Sequence, residues 1–305
     1  MNLNGVDPEL LKPLSKLPAM DFSSPVWRFI GRVAPKLMTA TKLPDVTMTK
    51  VNEGNLKARL YVPTNPKSQA SLLWIHGGGL IIGSAKMDDK LCSETASLLG
   101  ITVLSIEYRM APEAPFPAAL DDATVAWNWL LANAERLNLD PQRIAIGGES
   151  AGGCLAASLV QRLHDTSTVQ PTAQWLFAPM LDDRTAANTE LDAHDHPVWN
   201  NKNNRVGWSS YLATAPGQPE VAQYSVPARR TDLTGLPPTW IYVGDIELFK
   251  DEVEQYANSL KQQGVPVEFE IVKGGAHGFE SWASDTEIAK GLVSRARGWL
   301  ADQLS

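Results

Sequence analysis

The chain has 305 residues, 44% of them hydrophobic, and a formal net charge of -7 at pH 7. This length and composition support one large hydrophobic core, so we expect a single domain over residues 1–305. No run of lysine and arginine is long enough to follow a phosphate backbone, which argues against nucleic acid as a partner.

Targeting and metal-binding patterns are also missing. The first residues lack the basic start and apolar core of a secretory signal, and no apolar run reaches the roughly 20 residues of a membrane helix. The two cysteines, Cys92 and Cys154, are too few for a disulfide framework and lack metal-ligand spacing. We therefore expect a cytoplasmic protein without a membrane span or a bound metal.

Apolar or alternating runs predict eight β-strands, with helical patterns between most of the later ones. The strands are expected at residues 46–52, 56–62, 71–75, 101–107, 143–147, 173–178, 238–243 and 267–272. The turn at residues 53–55 favours an antiparallel hairpin between the first two. The later strands are fully apolar and alternate with helical patterns such as 89–99 and 117–137. This alternation predicts an α/β fold whose mostly parallel sheet is flanked by helices on both faces.

Two segments depart from this alternation. Residues 1 to about 42 hold five prolines among amphipathic pieces, and residues from about 181 to 233 are polar and irregular, with several aromatic side chains. An insertion after the sixth strand lies at the end of the sheet where open α/β sheets bind ligands. We interpret both segments as a lid, although a frayed terminus explains the first 15 residues equally well.

The fifth predicted strand runs directly into Gly148-Glu149-Ser150-Ala151-Gly152, and a helical pattern follows. A serine on such a strand-turn-helix stands above the sheet, and glycines two residues to either side permit the close approach of strand and helix. Ser150 is therefore a candidate nucleophile. Glu149 either faces the lid or substrate, or has a packing and hydrogen-bonding role.

A nucleophilic serine requires a base, and two of the five histidines lie at strand ends. His277 follows the eighth predicted strand in a glycine-rich loop, from which it can reach a serine. His76 opens His76-Gly77-Gly78-Gly79 after the third strand, where uncovered backbone N–H groups can receive an oxyanion. We expect His277 to be the base and His76 to fix the glycine loop by hydrogen bonding.

Two further clusters of ionisable residues bear on the site. Asp245 and Glu247 follow the seventh strand and compete for the role of the acid behind His277. The run Asp192-Ala193-His194-Asp195-His196 has metal-binding residue types, but it lies in the predicted lid without a helical or strand frame. We therefore do not expect a metal there.

Five motifs together resemble one family, the hormone-sensitive-lipase-like (bacterial family IV) carboxylesterases of the α/β-hydrolase superfamily. The resemblance runs from about residue 45 to the end of the chain. In chain order the motifs are His76-Gly77-Gly78-Gly79, Tyr108-Arg109-Met110-Ala111-Pro112-Glu113, Phe116-Pro117-Ala118-Ala119-Leu120-Asp121-Asp122, Gly148-Glu149-Ser150-Ala151-Gly152-Gly153 and Ala276-His277-Gly278-Phe279.

The resemblance implies a serine esterase that cleaves short- to medium-acyl esters through an acyl-enzyme and needs no cofactor. Ser150 and His277 would be catalytic, and the oxyanion hole would be formed by the N–H groups of Gly78, Gly79 and Ala151. The acid would be Glu247, thirty residues before His277, where the family usually has aspartate. We favour Glu247 and keep Asp245 as the alternative. A homodimer through the edge of the last strand is also plausible in this family.

Two other functions stay open at this point. The same triad serves amide, lactone or carbamate hydrolysis, because the motifs determine acyl transfer and not the leaving group. A small-molecule receptor can also use this scaffold without catalysis, as in the plant gibberellin receptors, where the catalytic histidine is lost. The presence of His277 argues against a receptor.

Overall fold

A computed structural model describes residues 3, 5–41 and 43–305, so residues 1, 2, 4 and 42 of the predicted lid lie outside the described residues. The strands are, in chain order, β1 Val46–Glu53, β2 Leu56–Pro63, β3 Ser71–Ile75, β4 Thr102–Ile106, β5 Ile144–Glu149, β6 Ala173–Phe177, β7 Thr239–Gly244 and β8 Val267–Val272. They form one sheet of eight strands in the order β1-β2-β4-β3-β5-β6-β7-β8.

The pairing of the strands agrees with the sequence pattern. β1 pairs with β2 in an antiparallel hairpin, and β2 also runs antiparallel to β4. All later pairs are parallel, so the carboxyl ends of β3, β5, β6, β7 and β8 lie along one edge of the sheet. The prediction of a mostly parallel sheet with an initial hairpin is confirmed.

Helices occupy the connections between the parallel strands. The α-helices are α1 Pro8–Leu14, α2 Pro25–Leu37, α3 Asp89–Leu99, α4 Ala118–Ala132, α5 Ala134–Leu137, α6 Ala151–Thr166, α7 Asp183–Ala187, α8 Asn201–Leu212, α9 Lys250–Gln262, α10 Phe279–Trp282 and α11 Glu287–Gln303. Short 3-10 helices cover Ala85–Asp88, Thr189–Ala193 and Pro227–Arg229.

The helical pattern over residues 117–137 is divided in the structure into α4 and α5. The break lies at Asn133, whose backbone leaves the helical region with φ of -106° and ψ of 10°. Its side-chain amide donates a hydrogen bond to the carbonyl of Trp129 at 2.9 Å. Asparagine competes in this way with the helical ladder, so the periodic pattern alone does not reveal the interruption.

The sheet separates two hydrophobic clusters. Side chains alternate along β3, so Leu73 and Ile75 join one cluster while Leu72 and Trp74 join the other. Helices α4, α6 and α9 cover the first cluster, and α3 and α11 cover the second. Because both faces are buried, the central strands have to be apolar throughout, which explains the continuous apolar runs in the sequence.

The two predicted lid segments contact each other beside the first cluster. The side chain of Asn203 on α8 accepts a hydrogen bond from the N–H of Phe22 and donates one to the carbonyl of Met20, both at 2.9 Å. The ring centroids of Phe22 and Trp199 lie 5.7 Å apart. By contrast, Leu10 on α1 packs into the second cluster, on the other face of the sheet.

The helices also bear on membrane insertion. Within the residues that the structure describes, none of them is both long enough and apolar enough to cross a bilayer.

Candidate active site

Ser150 lies on a sharp turn between β5 and α6. Its backbone has φ of 55° and ψ of -118°, a region that residues other than glycine rarely adopt. Three backbone hydrogen bonds hold the turn. The Ser150 N–H donates to the Phe177 carbonyl at 2.8 Å, and the N–H groups of Met180 and Cys154 both donate to the Ser150 carbonyl at 3.0 Å. The strained conformation is thus fixed by the neighbouring backbone, as in a turn that presents a nucleophile.

The glycines of this turn are required by close backbone contacts. A Cβ atom on Gly152 would lie 1.9 Å from the carbonyl oxygen of Ile75, at the end of β3. A Cβ atom on Gly148 would lie 2.3 Å from the carbonyl oxygen of Gly152. Both distances are far inside van der Waals contact, so the approach of α6 to β3 and β5 depends on the absence of side chains here.

His277 reaches Ser150 from the loop of residues 273–278, which we call the histidine loop. Its Nε2 lies 2.9 Å from Ser150 Oγ, and its Nδ1 lies 2.5 Å from Oε2 of Glu247. With the ring proton on Nδ1, the imidazole donates to Glu247 and its Nε2 accepts from the serine hydroxyl. His277 is only 6% exposed, so water has little access to either bond.

The two competing carboxylates lie in different places. Glu247, in the turn after β7, is buried beside the His277 ring. Asp245 does not face that ring: its Oδ1 accepts a hydrogen bond from the N–H of Gly274 at 2.7 Å, and its own N–H donates to the Val272 carbonyl at 3.0 Å. Asp245 therefore ties the turn after β7 to the start of the histidine loop.

The glycine loop after β3 faces the same turn. Gly78 and Gly79 have positive φ values of 118° and 57°. The turn bonds of the loop run from the N–H groups of Ile81 and Ile82 to the Gly78 carbonyl, at 3.1 and 3.0 Å, and they do not use the N–H of Gly78 or Gly79. Ala151 is the first residue of α6, where backbone N–H groups have no partner inside the helix.

His76 lies beneath this loop and not beside Ser150. It is fully buried, its Nδ1 lies 2.7 Å from the Gly77 carbonyl, and its ring stacks on Tyr108 with centroids 4.4 Å apart. Burial lowers the pKa of His76, which favours the neutral ring. In this position His76 can support the glycine loop.

A tryptophan and a helix of the predicted lid lie against the glycine loop, a contact that the sequence motifs did not indicate. A Cβ atom on Gly79 would lie 2.1 Å from Cη2 of Trp199, and one on Gly207 would lie 2.6 Å from the Gly79 carbonyl. Trp199 and α8 therefore press directly on the glycine loop. Trp199 and Gly207 belong to none of the five motifs, so only the folded chain reveals their contact with Gly79.

Buried carboxyl groups form a second unexpected feature. Burial raises the pKa of Glu149 to about 8, and the nearby carboxyl of Glu280 adds to the effect. Burial likewise raises the pKa of Glu280 to about 8, and Asp88 has a pKa well above its ordinary value for the same reason. The hydroxyl of Tyr242 donates a hydrogen bond to Glu280. Glu149 and Glu280, beside the site, are therefore mostly protonated at neutral pH.

The histidine-containing run of residues 192–196 lies in the predicted lid. Among the described residues, no group of three or more histidine, cysteine, aspartate or glutamate side chains converges in a way that could hold a metal ion. The rings of His194 and His196 lie with centroids 5.9 Å apart.

Comparison with known proteins agrees with this geometry. A family model described as the alpha/beta hydrolase fold matches residues 72–281. The ethyl acetate hydrolase of Pseudomonas putida is 30% identical over 256 residues, which make up 82% of this chain and 80% of that protein. The solved structure of a bacterial heroin esterase has a TM-score of 0.90 and 35% identity, and the match covers 100% of both chains.

A crystal structure of an esterase from the bacterial hormone-sensitive lipase family has a TM-score of 0.82 and 27% identity, over 98% of this chain and 99% of that one. The resemblance predicted from the five motifs is therefore confirmed. The chain belongs to the α/β-hydrolase fold family, in its hormone-sensitive-lipase-like branch of carboxylesterases.

Proposed function

We propose that the chain hydrolyses carboxylic esters through an acyl-enzyme on Ser150, with His277 as general base and acid and Glu247 as the acid of the triad. The observation that carries the proposal is the unbroken line of contacts from Ser150 Oγ through His277 to Glu247, at 2.9 and 2.5 Å. The esterase names of the relatives support the same chemistry.

The proposed reaction has two symmetrical halves. Ser150 Oγ forms a bond to the ester carbonyl carbon while His277 Nε2 takes the hydroxyl proton. Collapse of the tetrahedral intermediate breaks the bond to the leaving alcohol, which receives that proton. A water molecule then gives its proton to His277 and attacks the acyl-enzyme, and collapse releases the carboxylic acid and restores the serine.

The remaining groups would stabilise the charges that develop during the reaction. Glu247 would keep the ring proton on Nδ1 and stabilise the imidazolium that forms in each half. The N–H groups of Gly78, Gly79 and Ala151 would receive the oxyanion, and the loss of one such donor typically slows turnover about 100- to 1,000-fold.

We propose an acyl group of short to medium length. The site is enclosed, because Ser150 is only 4% exposed and Trp199 lies against Gly79. The relative from Pseudomonas putida is named for a two-carbon acyl ester. We expect kcat/KM for p-nitrophenyl esters to peak between acetyl and hexanoyl, and a maximum at dodecanoyl or beyond would contradict this assignment.

The single domain with a lid from residues about 1–42 and 181–233 remains part of the proposal. The two hydrogen bonds of the Asn203 side chain to the backbone of Met20 and Phe22, which join the two segments, support this proposal. Hydrogen-deuterium exchange that slows in both segments together when a substrate analogue binds would support the lid.

Dimerisation and location are further proposals. β8 lies at the edge of the sheet, and Ile271 on it is 41% exposed, which suits pairing with the same strand of a second copy. Sedimentation velocity tests the dimer. A cytoplasmic location stays a prediction that cell fractionation tests.

The decisive experiment is the substitution Ser150→Ala. We expect hydrolysis of p-nitrophenyl butyrate to fall roughly 10,000-fold or more, with an unchanged melting temperature. Ser158→Ala, on the same helix two turns away, is the matched control and should keep near-normal turnover. Near-normal turnover by Ser150→Ala would overturn the mechanism.

A further inference from the structure

Glu149 directly precedes Ser150, but its side chain contacts Gly278, the last residue of the histidine loop, and α10, which follows the loop. Its Oε2 accepts a hydrogen bond from the hydroxyl of Ser281 at 2.6 Å. Its Oε1 lies 2.6 Å from the position that a Cβ atom on Gly278 would take. The carboxyl group therefore rests against the residue after His277 and binds the residue four positions after it.

The sheet does not set the distance between Ser150 and His277 directly. β5, which leads into Ser150, pairs with β3 and β6, whereas β8, which leads into the histidine loop, pairs with β7. The contact of Ser150 with His277 is one bridge between the two segments, and that of Glu149 with Ser281 is a second. Asp245 and Glu247 fix the histidine loop to the turn after β7, and these two bridges fix it to the turn that carries Ser150.

We propose that Glu149 is a positioning residue that, through Ser281 on α10, holds the histidine loop against residues 148–152, which we call the nucleophile turn. In this way Glu149 keeps His277 Nε2 in line with Ser150 Oγ. This inference rests on the proposed catalytic roles of Ser150 and His277. If the histidine loop were loosened, His277 Nε2 would spend more time out of line with Ser150 Oγ. Small misplacements of catalytic groups slow turnover strongly.

The protonation state of Glu149 decides which substitutions test the bridge. Burial and the neighbouring Glu280 raise the pKa of Glu149 to about 8, so the group is mostly a neutral carboxylic acid at pH 7. Glutamine has nearly the same shape and keeps a carbonyl oxygen that can accept from Ser281. Alanine removes the acceptor, and Ser281→Ala removes the donor from an exposed position where folding is not at risk.

The experiment compares steady-state kinetics with p-nitrophenyl butyrate at pH 7 for Glu149→Ala, Glu149→Gln, Ser281→Ala and the double variant Glu149→Ala with Ser281→Ala. We expect kcat to fall about tenfold in both alanine single variants, with KM unchanged, and Glu149→Gln to retain most of the wild-type kcat. The double variant should be no slower than Glu149→Ala, because both changes break the same bridge. Ser284→Ala, three residues further along, is the matched control and should be unaffected.

Several results would overturn the proposal. Wild-type kcat in Ser281→Ala would do so, as would losses that multiply in the double variant, or a Glu149→Gln variant as slow as Glu149→Ala. Failure of the proposed function gives a different result, because Ser150→Ala would then remain active whatever the Glu149 variants do.

Discussion

Two regions meet at Ser150, and they are held in different ways. At the carboxyl edge of the sheet, the nucleophile turn and the turns after β3, β7 and β8 are fixed by backbone contacts that leave no space for a Cβ atom and by buried hydrogen bonds. The predicted lid segments are joined to each other and to this edge by side chains such as Asn203 and Trp199. Backbone contacts join them as well, among them the hydrogen bond from the Gly83 N–H to the Gly31 carbonyl at 3.1 Å. A Cβ atom added at the nucleophile turn therefore meets backbone that cannot move, whereas removal of one side chain from the predicted lid leaves its other contacts in place.

The largest effect is expected at the edge from Gly152→Ala. The new Cβ would lie 1.9 Å from the backbone oxygen of Ile75, which cannot move without displacing β3. We expect a loss of more than about 4 kcal/mol in the free energy of unfolding, measured with urea, or no folded protein at all. Gly298→Ala, in α11 with nothing within 4 Å of its Cβ, should instead be neutral or slightly stabilising. A stable Gly152→Ala variant would break the comparison.

The second effect distinguishes the two carboxylates at the edge. Glu247→Gln should reduce kcat about 10,000-fold while the fold is retained, because an amide cannot stabilise the imidazolium and favours the wrong tautomer. Asp245→Asn keeps a carbonyl oxygen for the Gly274 N–H and should change kcat only a few-fold. Steady-state kinetics with p-nitrophenyl butyrate decide between them. A greater loss from Asp245→Asn would show that the assignment of the acid is wrong.

A smaller effect is expected from Asn203→Ala, in the predicted lid. The variant loses both hydrogen bonds to the backbone at Met20 and Phe22, which should loosen the first lid segment by about 1–3 kcal/mol. We expect KM to rise several-fold and kcat to change little, because the groups around Ser150 are untouched. Faster proteolysis within residues 5–41 would report the loosening. Lys202→Ala, exposed on the same helix, is the control, and equal KM values in the two variants would contradict the distinction.

The smallest effect concerns pH and the buried carboxyl groups beside the edge. Burial raises the pKa of Glu280 from an ordinary value of 4.5 to about 8. Between these values the folded chain keeps a proton that the unfolded chain has released, so stability falls as the pH rises from 4.5 to about 8. Glu280→Gln removes this contribution and keeps an acceptor for Tyr242.

The melting temperature of wild type should therefore fall between pH 5 and pH 8, by about a few degrees more than that of Glu280→Gln. Glu268→Gln, an exposed change of the same charge on β8, should follow the wild-type curve. If the melting temperatures of wild type and Glu280→Gln changed equally with pH, the buried carboxyl of Glu280 would make no pH-dependent contribution to stability.

Much of the carboxyl edge of the sheet could be predicted from the sequence, because its strands and turns restrict the residue types in their own segments. Each predicted strand lies within two residues of an observed one, since a buried parallel strand must be apolar and ends where glycine or polar residues begin. The motifs around Ser150, His277 and the glycine loop follow from backbone conformations that few residues tolerate. The break at Asn133 was missed, because one side-chain hydrogen bond can interrupt a periodic pattern without changing it.

The sequence by itself determined the strand order along the chain, the turn that presents Ser150 and the loop that carries His277, because backbone sterics and burial leave a local trace in residue type. Only the tertiary structure decided that Glu247 and not Asp245 lies beside the His277 ring. It also decided that Trp199 covers Gly79 and that Glu149 binds Ser281. These contacts join residues far apart in the chain, and no local pattern records which side chains the packing of separate elements brings together.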